Sequence, residues 1–224
     1  MREQTGRKLV DYNEIVYIYS FLSYQCIYGD AQIFKIIQMN YRNHPWHGIS
    51  PGDEAPAFVN CIIEIPKGSK GKYEMEKKSG LLQLNRVLFS SVHYPANYGF
   101  IPRTYCDDLD PLDILVICSI DVYPMCIIEA KVIGVMEMID GNEKDAKIIG
   151  IARNDMSVNH INELSQLPPH TLVELKRFFE DYKKLEHKDV TVEQFLDKGM
   201  AYTIIQESME RYEKNRERLI LQEK

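Results

Sequence analysis

The sequence predicts an α+β fold, a small β-barrel with helices packed outside it. Three observations lead there. Between residues 58 and 152, short β-type runs are punctuated by Gly, Pro and Asn, and several strands at such close spacing suggest a small barrel. After Pro168-Pro169 the apolar period lengthens, with Leu172, Leu175, Phe178, Phe179, Tyr182 and Leu185 at helical spacing. A further amphipathic stretch fills the C-terminal region, so the strands and helices are segregated along the chain.

In chain order, residues 1–42 differ from the rest. They are rich in tyrosine (Tyr12, Tyr17, Tyr19, Tyr24, Tyr28) and carry no assignable motif, which marks an N-terminal extension to a domain at 43–224. The apolar run from Ile15 to Leu22 is too short for the roughly 20 residues of a membrane span. It follows Asp11 and Glu14 rather than a basic segment, so neither a membrane anchor nor a secretory signal is expected.

The clearest strands are 58–65, 112–118, 130–138 and 147–152, with shorter ones at 72–76 and 81–88. A helix is expected over 171–186. A second is expected to start with Thr191 as N-cap and Gln194 at the capping-box position, to be interrupted at Gly199, and to resume over 200–221.

With 45% apolar and 27% charged residues among 224, one main globular domain is expected. The balance of 27 basic to 33 acidic side chains argues against a general nucleic-acid binder, which needs a basic surface. A small anion remains compatible, because local cations can reverse the field inside a cleft. The five cysteines are odd in number, widely spaced, mostly within apolar runs and without metal-binding spacing, and read as buried thiols in a reducing, cytoplasmic setting.

The densest chemistry lies in Asp108-Leu109-Asp110-Pro111-Leu112-Asp113, with Asp107 beside it. Carboxylates this close raise one another's pKa unless a cation neutralises them, and a hard, oxygen-seeking ion such as Mg²⁺ is the natural partner. A calcium EF-hand counted from Asp108 fails, because it finds Asp113 where Gly is required and Ser119 where Glu is required. By itself the run reads equally well as a solvated acidic turn. Asp113 leads straight into the apolar strand Ile114-Leu115-Val116-Ile117, however, and a rigid support favours a working site.

Other polar groups are less specific. Asp140, Asp145 and Lys147 read first as a charged hairpin. Lys72 and Glu74 share one face of a strand. Glu64 sits in an apolar strand, where a carboxylate is costly unless it is paired or near a metal. Arg86 and the segment Tyr94-Pro95-Ala96-Asn97-Tyr98-Gly99 supply a guanidinium and phenols suited to phosphate oxygens.

Taken together and in order, Glu64-Ile65-Pro66, Lys72-Tyr73-Glu74, Arg86, the segment from Tyr94 to Pro102, the DxDPxD run, Asp145-Ala146-Lys147 and the segment from Phe178 to Lys183 resemble the family I soluble inorganic pyrophosphatases over roughly residues 43–213. The segment His44-Pro45-Trp46-His47 is similar to the plant and protist branch.

The resemblance implies a five-stranded barrel of the oligonucleotide-binding-fold (OB) kind and Mg²⁺-dependent hydrolysis of pyrophosphate to two phosphates, with several Mg²⁺ ions in each site. It implies metal ligation by Asp108, Asp113 and Asp145, with Asp140 for an additional ion, and Asp110 as general base. It implies phosphate contacts from Lys72, Arg86, Tyr98, Lys147, Tyr182 and Lys183, with Glu64, Glu74 and Tyr94 supporting the site. Members differ in assembly, so a homo-oligomer is compatible with it. Leu109, where the family usually has a small or polar residue, and Asn85, where it usually has Asp, are departures. They leave a weakened paralogue acting as an interaction module as the alternative.

Overall fold

The computed structural model describes residues 43–141 and 143–222. The expectations for residues 1–42, including the apolar run and Cys26, and for Asn142 lie outside the described residues. In chain order the elements are β1 (Phe58–Ile65), β2 (Gly71–Met75), β3 (Leu82–Val87), β4 (Asn97–Phe100), β5 (Asp113–Ile117), β6 (Ile127–Asp140), β7 (Glu143–Ala152), α1 (Pro169–Asp181), β8 (Val190–Asp197) and α2 (Lys198–Gln222).

Strands β1, β4, β5, β7 and β6 bond in that order, and a second pairing of β6 with β1 closes them into a ring of five. This is the expected OB-like α+β architecture. Strand β8 is added on the free part of β6, and β2 with β3 forms a separate hairpin. All ring contacts are antiparallel except β5 with β7. Strand β6 serves both β1 and β8 by bending at an irregularity between Val132 and Gly134, as a bulge bends a strand at a barrel corner.

The ring strands are apolar on both faces because both faces are covered. Leu115, Ile149 and Ile151 pack in one buried cluster with Leu175, Phe178 and Phe179 of α1. Their neighbours Ile114, Val116 and Ile148 pack in a second with Ala201 and Ile205 of α2. A third cluster joins Trp46, Phe100, Tyr105 and Tyr212. There Trp46 Nε1 donates to the Thr104 carbonyl at 2.8 Å, and His47 Nδ1 bonds the Tyr212 hydroxyl at 2.8 Å. The His-Pro-Trp-His segment is therefore a packing element against α2.

Three sequence expectations are corrected. Thr191 does not cap a helix. Val190–Asp197 is a strand on β6, with Val190 and Val192 buried and Thr191 and Glu193 exposed, so the β-branched alternation outweighs the capping-box spacing. Helix α2 starts only at Lys198, where Asp197 Oδ1 accepts the Met200 N–H at 3.1 Å, and Gly199 lies inside its first turn. Helix α1 ends at Asp181, and a 3₁₀ turn over Lys184–Glu186 changes the phase, leaving Leu185 exposed instead of on the apolar stripe. Among the described residues no helix is long and apolar enough to cross a membrane.

Strand β4, four buried residues long, depends on Gly99. A Cβ there would stand 1.8 Å from the Ile62 carbonyl oxygen and 2.8 Å from Ile63 Cα of β1. Neither backbone can yield without opening the ring. Gly99→Ala is expected to destabilise the protein by about 3 kcal/mol or more, read as a shift in the urea midpoint. A loss below about 1 kcal/mol would show that β1 and β4 are not held at this distance.

Candidate active site

Strand register gathers the site at one end of the ring. In the parallel pair, Ile114 stands opposite Ile148, so Asp113 and Lys147, one residue earlier in each strand, come side by side. Asp145 lies two residues before Lys147 and shares its face. In β1, Glu64 is the extra residue of a bulge between Ile63, opposite Gly99, and Ile65, opposite Tyr98. The hairpin contributes Lys72 and Glu74, and the end of α1 contributes Tyr182 and Lys183.

A cleft of about 540 Å³ is lined by Glu64, Lys72, Glu74, Tyr94, Tyr98, Asp108, Asp110, Asp113, Asp140, Asp145, Lys147, Tyr182 and Lys183. Of the residues singled out in the sequence, Arg86 alone does not line it. Lys77, Glu143 and Lys144 also line the cleft, and the sequence reading missed them as site residues. Glu143 and Lys144 lay within the charged stretch read as a hairpin, whereas nothing in the pattern around Lys77 distinguished it from a surface lysine.

Five cleft carboxylates, Glu74, Asp110, Asp113, Asp140 and Asp145, find an ammonium. Lys147 Nζ bridges Asp113, in short contact, and Asp145 at 2.6 Å. Lys183 holds Asp140 and Lys77 holds Asp110, both in short contacts. Lys72 meets Glu74 at 2.5 Å. The acidic run is pinned from both sides, by Lys77 Nζ donating to the Leu109 carbonyl at 3.0 Å and by Arg211 of α2 on Asp107.

Burial alone would strip Lys147 of its proton, but Asp113 and Asp145 more than offset it and hold the pKa well above the usual lysine range. Desolvation, helped by Asp113, Asp110 and Asp145, pushes Asp108 up to about 6. Burial likewise pushes Glu64 up to about 8, partly opposed by the Met75 N–H that Glu64 Oε1 accepts at 2.6 Å. Tyr94, Tyr98 and Tyr182 are raised by burial and stay protonated donors.

Tyr182 satisfies both of its sequence readings. It is buried in the α1 cluster, 5.5 Å from the Phe178 ring, and it also lines the cleft.

The donor set fits a hard divalent ion, since five aspartates face one cleft whose lining holds no Cys or His, the thioether of Met75 being the one soft atom there. Among the described residues, no three such side chains are gathered closely enough to hold an ion as they stand. Lysine ammoniums instead pair with Asp110, Asp113, Asp140 and Asp145, Lys147 being shared by two of them.

The two departures are local. Leu109 is in the left-handed region at φ 68, and its side chain is 60% exposed, outside the cleft lining. Asn85 accepts from Arg86 Nη1 at 3.0 Å and donates to Glu74 at 2.7 Å, a bridge that an Asp, lacking a donor, could not complete.

The family model described as inorganic pyrophosphatase matches residues 61–213. The chain is 51% identical over 173 residues to soluble inorganic pyrophosphatase 2 of Chlamydomonas reinhardtii, covering 77% of this chain and 90% of that protein. It is 54% identical over 169 residues to soluble inorganic pyrophosphatase 4 of Arabidopsis thaliana, covering 75% and 78%. Among solved structures, the inorganic pyrophosphatase from Thermus thermophilus superposes with a TM-score of 0.73 at 36% identity, covering 76% of this chain and 99% of that one.

Two outcomes follow from the site's geometry. Folding raises the Glu64 pKa from 4.5 to about 8, so its contribution to stability is complete below pH 4.5 and is lost as the pH rises through about 8. In thermal melts with EDTA, Glu64→Gln is expected to flatten the decline in Tm between pH 5 and 9 and to exceed the wild type above pH 8; parallel profiles would contradict a strained carboxylate. Leu109→Asn, better suited to positive φ, is expected to stabilise the protein by about 0.5–1 kcal/mol, measured as the urea midpoint.

Proposed function

The chain belongs to the inorganic pyrophosphatase family and is an enzyme that hydrolyses inorganic pyrophosphate, and we propose that it does so with Mg²⁺ in the cleft at the barrel end, residues 43–224 forming the catalytic domain and residues 1–42 an extension. The observation that carries the site assignment is the meeting of the five aspartates with Lys72, Lys147, Lys183, Tyr98 and Tyr182 around one cleft.

In this reading Asp108, Asp113 and Asp145, with Asp140 for a further ion, would hold Mg²⁺, which when bound would neutralise the diphosphate and lower the pKa of the attacking water. Asp110 takes the water proton as its oxygen bonds to one phosphorus and the bridging P–O bond on that phosphorus breaks. The cationic side chains of Lys72, Arg86, Lys147 and Lys183 balance the charge on the transferred and leaving phosphates. The hydroxyls of Tyr98 and Tyr182, kept protonated by burial, donate to phosphate oxygens without adding charge. Glu64 and Glu74 line the same wall, and Tyr94 supports Tyr98 from 5.6 Å. The thiols of Cys61, Cys106, Cys118 and Cys126 are free, which supports action in a reducing compartment such as the cytoplasm; against the expectation of buried thiols, Cys61 is buried, Cys106 and Cys118 are half-buried and Cys126 is exposed.

Phosphate release from pyrophosphate with Mg²⁺ tests the assignment. Asp110→Asn, which keeps the side-chain shape but cannot accept the proton, is expected to lower kcat by about 100-fold or more. Equal rates for the two proteins would remove Asp110 from the mechanism.

A further inference from the structure

Arg86 is set apart from the other phosphate-binding candidates, and its neighbours explain why. Its Nε donates to Glu186 Oε1 at 2.7 Å, across 100 residues of sequence. Its Nη1 donates to Asn85, which in turn donates to Glu74 on the cleft wall. Its Nη2 is buried and has no hydrogen-bond partner among the described residues. A buried guanidinium nitrogen without an acceptor is costly and calls for one.

The Glu186 side chain is 10% exposed and that of Arg86 21%, so solvent screens this pair far less than a surface ion pair. The guanidinium acts electrostatically on both Tyr94 and Glu74, which line the cleft. Glu186 is also fixed by its backbone. It closes the 3₁₀ turn after α1, with its N–H donating to the Lys183 carbonyl at 2.9 Å. One turn therefore anchors Lys183 and reaches across to the hairpin.

We propose that Glu186 is a positioning residue for substrate binding, fixing the orientation of Arg86 behind the cleft-wall residue Glu74 and tying the β2–β3 hairpin to the end of α1. The inference rests on the reading of Arg86 as a phosphate contact. A planar, forked guanidinium is selective only when its orientation is fixed, and Glu186 with Asn85 fixes two of its three nitrogens. Nothing in the sequence marks Glu186, because it reads there as the last residue of a helix.

Steady-state kinetics at saturating Mg²⁺ on Arg86→Ala, Glu186→Ala, Glu186→Gln and the Arg86→Ala/Glu186→Ala pair provide the test. Glu186→Ala is expected to raise KM for pyrophosphate about ten-fold with kcat within about two-fold, the pattern of lost ground-state binding. Glu186→Gln, which keeps an acceptor, is expected to recover most of that loss. In the Arg86→Ala background, Glu186→Ala is expected to move KM no further, whereas a merely structural role would cost the same in both backgrounds. An unchanged or lower KM in both Glu186 variants, with Arg86→Ala impaired, would overturn the positioning role alone. A normal KM for Arg86→Ala would overturn it together with the reading of Arg86. If Glu186→Ala does not fold, the Glu186→Gln arm decides: KM raised two- to three-fold supports the role and a wild-type value overturns it.

Discussion

The interaction on which the site depends is the buried Lys147 ammonium between Asp113 and Asp145. Lys147 is only 4% exposed, and a charge at that depth costs several kcal/mol unless its partners are close. Their closeness is a property of strand register. The single parallel contact of the ring, β5 with β7, sets Asp113 beside Lys147, and the two-residue repeat of β7 adds Asp145. A slip of one residue would turn Lys147 to the opposite face. The same constraint thus fixes the ring's pairing and the centre of its chemistry.

Around that centre, charge is balanced pairwise. Asp110 is paired with Lys77, Asp140 with Lys183 and Glu74 with Lys72. Glu64 has no such ammonium at hydrogen-bond distance and takes one backbone N–H, so its pKa rises most among the carboxylates whose shifts have a stated value. A cleft of carboxylates matched by lysines suits a polyanion that arrives with divalent cations.

The elements that hold these groups come from segments far apart in the chain. The hairpin supplies Lys72 and Glu74, the DxDPxD turn supplies the aspartates, and the end of α1 supplies Tyr182 and Lys183. The aromatic wall of Tyr94, Phe178 and Tyr182, with rings 4.7 and 5.5 Å apart, joins the third of these to the core. The Arg86–Glu186 pair joins the hairpin to the third. The left-handed backbone at Leu109 shows how tightly the acidic turn is folded, since a leucine is retained in a conformation that ordinarily favours glycine or asparagine.

The sequence by itself determined the class of fold, six of the eight strands among the described residues, helix α1 and the chemistry of the acidic run, because periodicity, punctuation and charge density are local properties. Strand β4 was hidden inside a motif read for its side chains, and β8 behind a capping-box spacing that pairing with β6 overrode. The lining of the cleft by Lys72, Tyr98, Lys147 and Lys183 followed from family resemblance, since each of these residues alone reads equally well as packing or as a solvated charge. Only the tertiary structure decided which lysine answers which aspartate, that Arg86 stands outside the cleft lining, and that Glu186 holds it. Those facts depend on register and on contacts between segments up to 100 residues apart, and no local pattern encodes them.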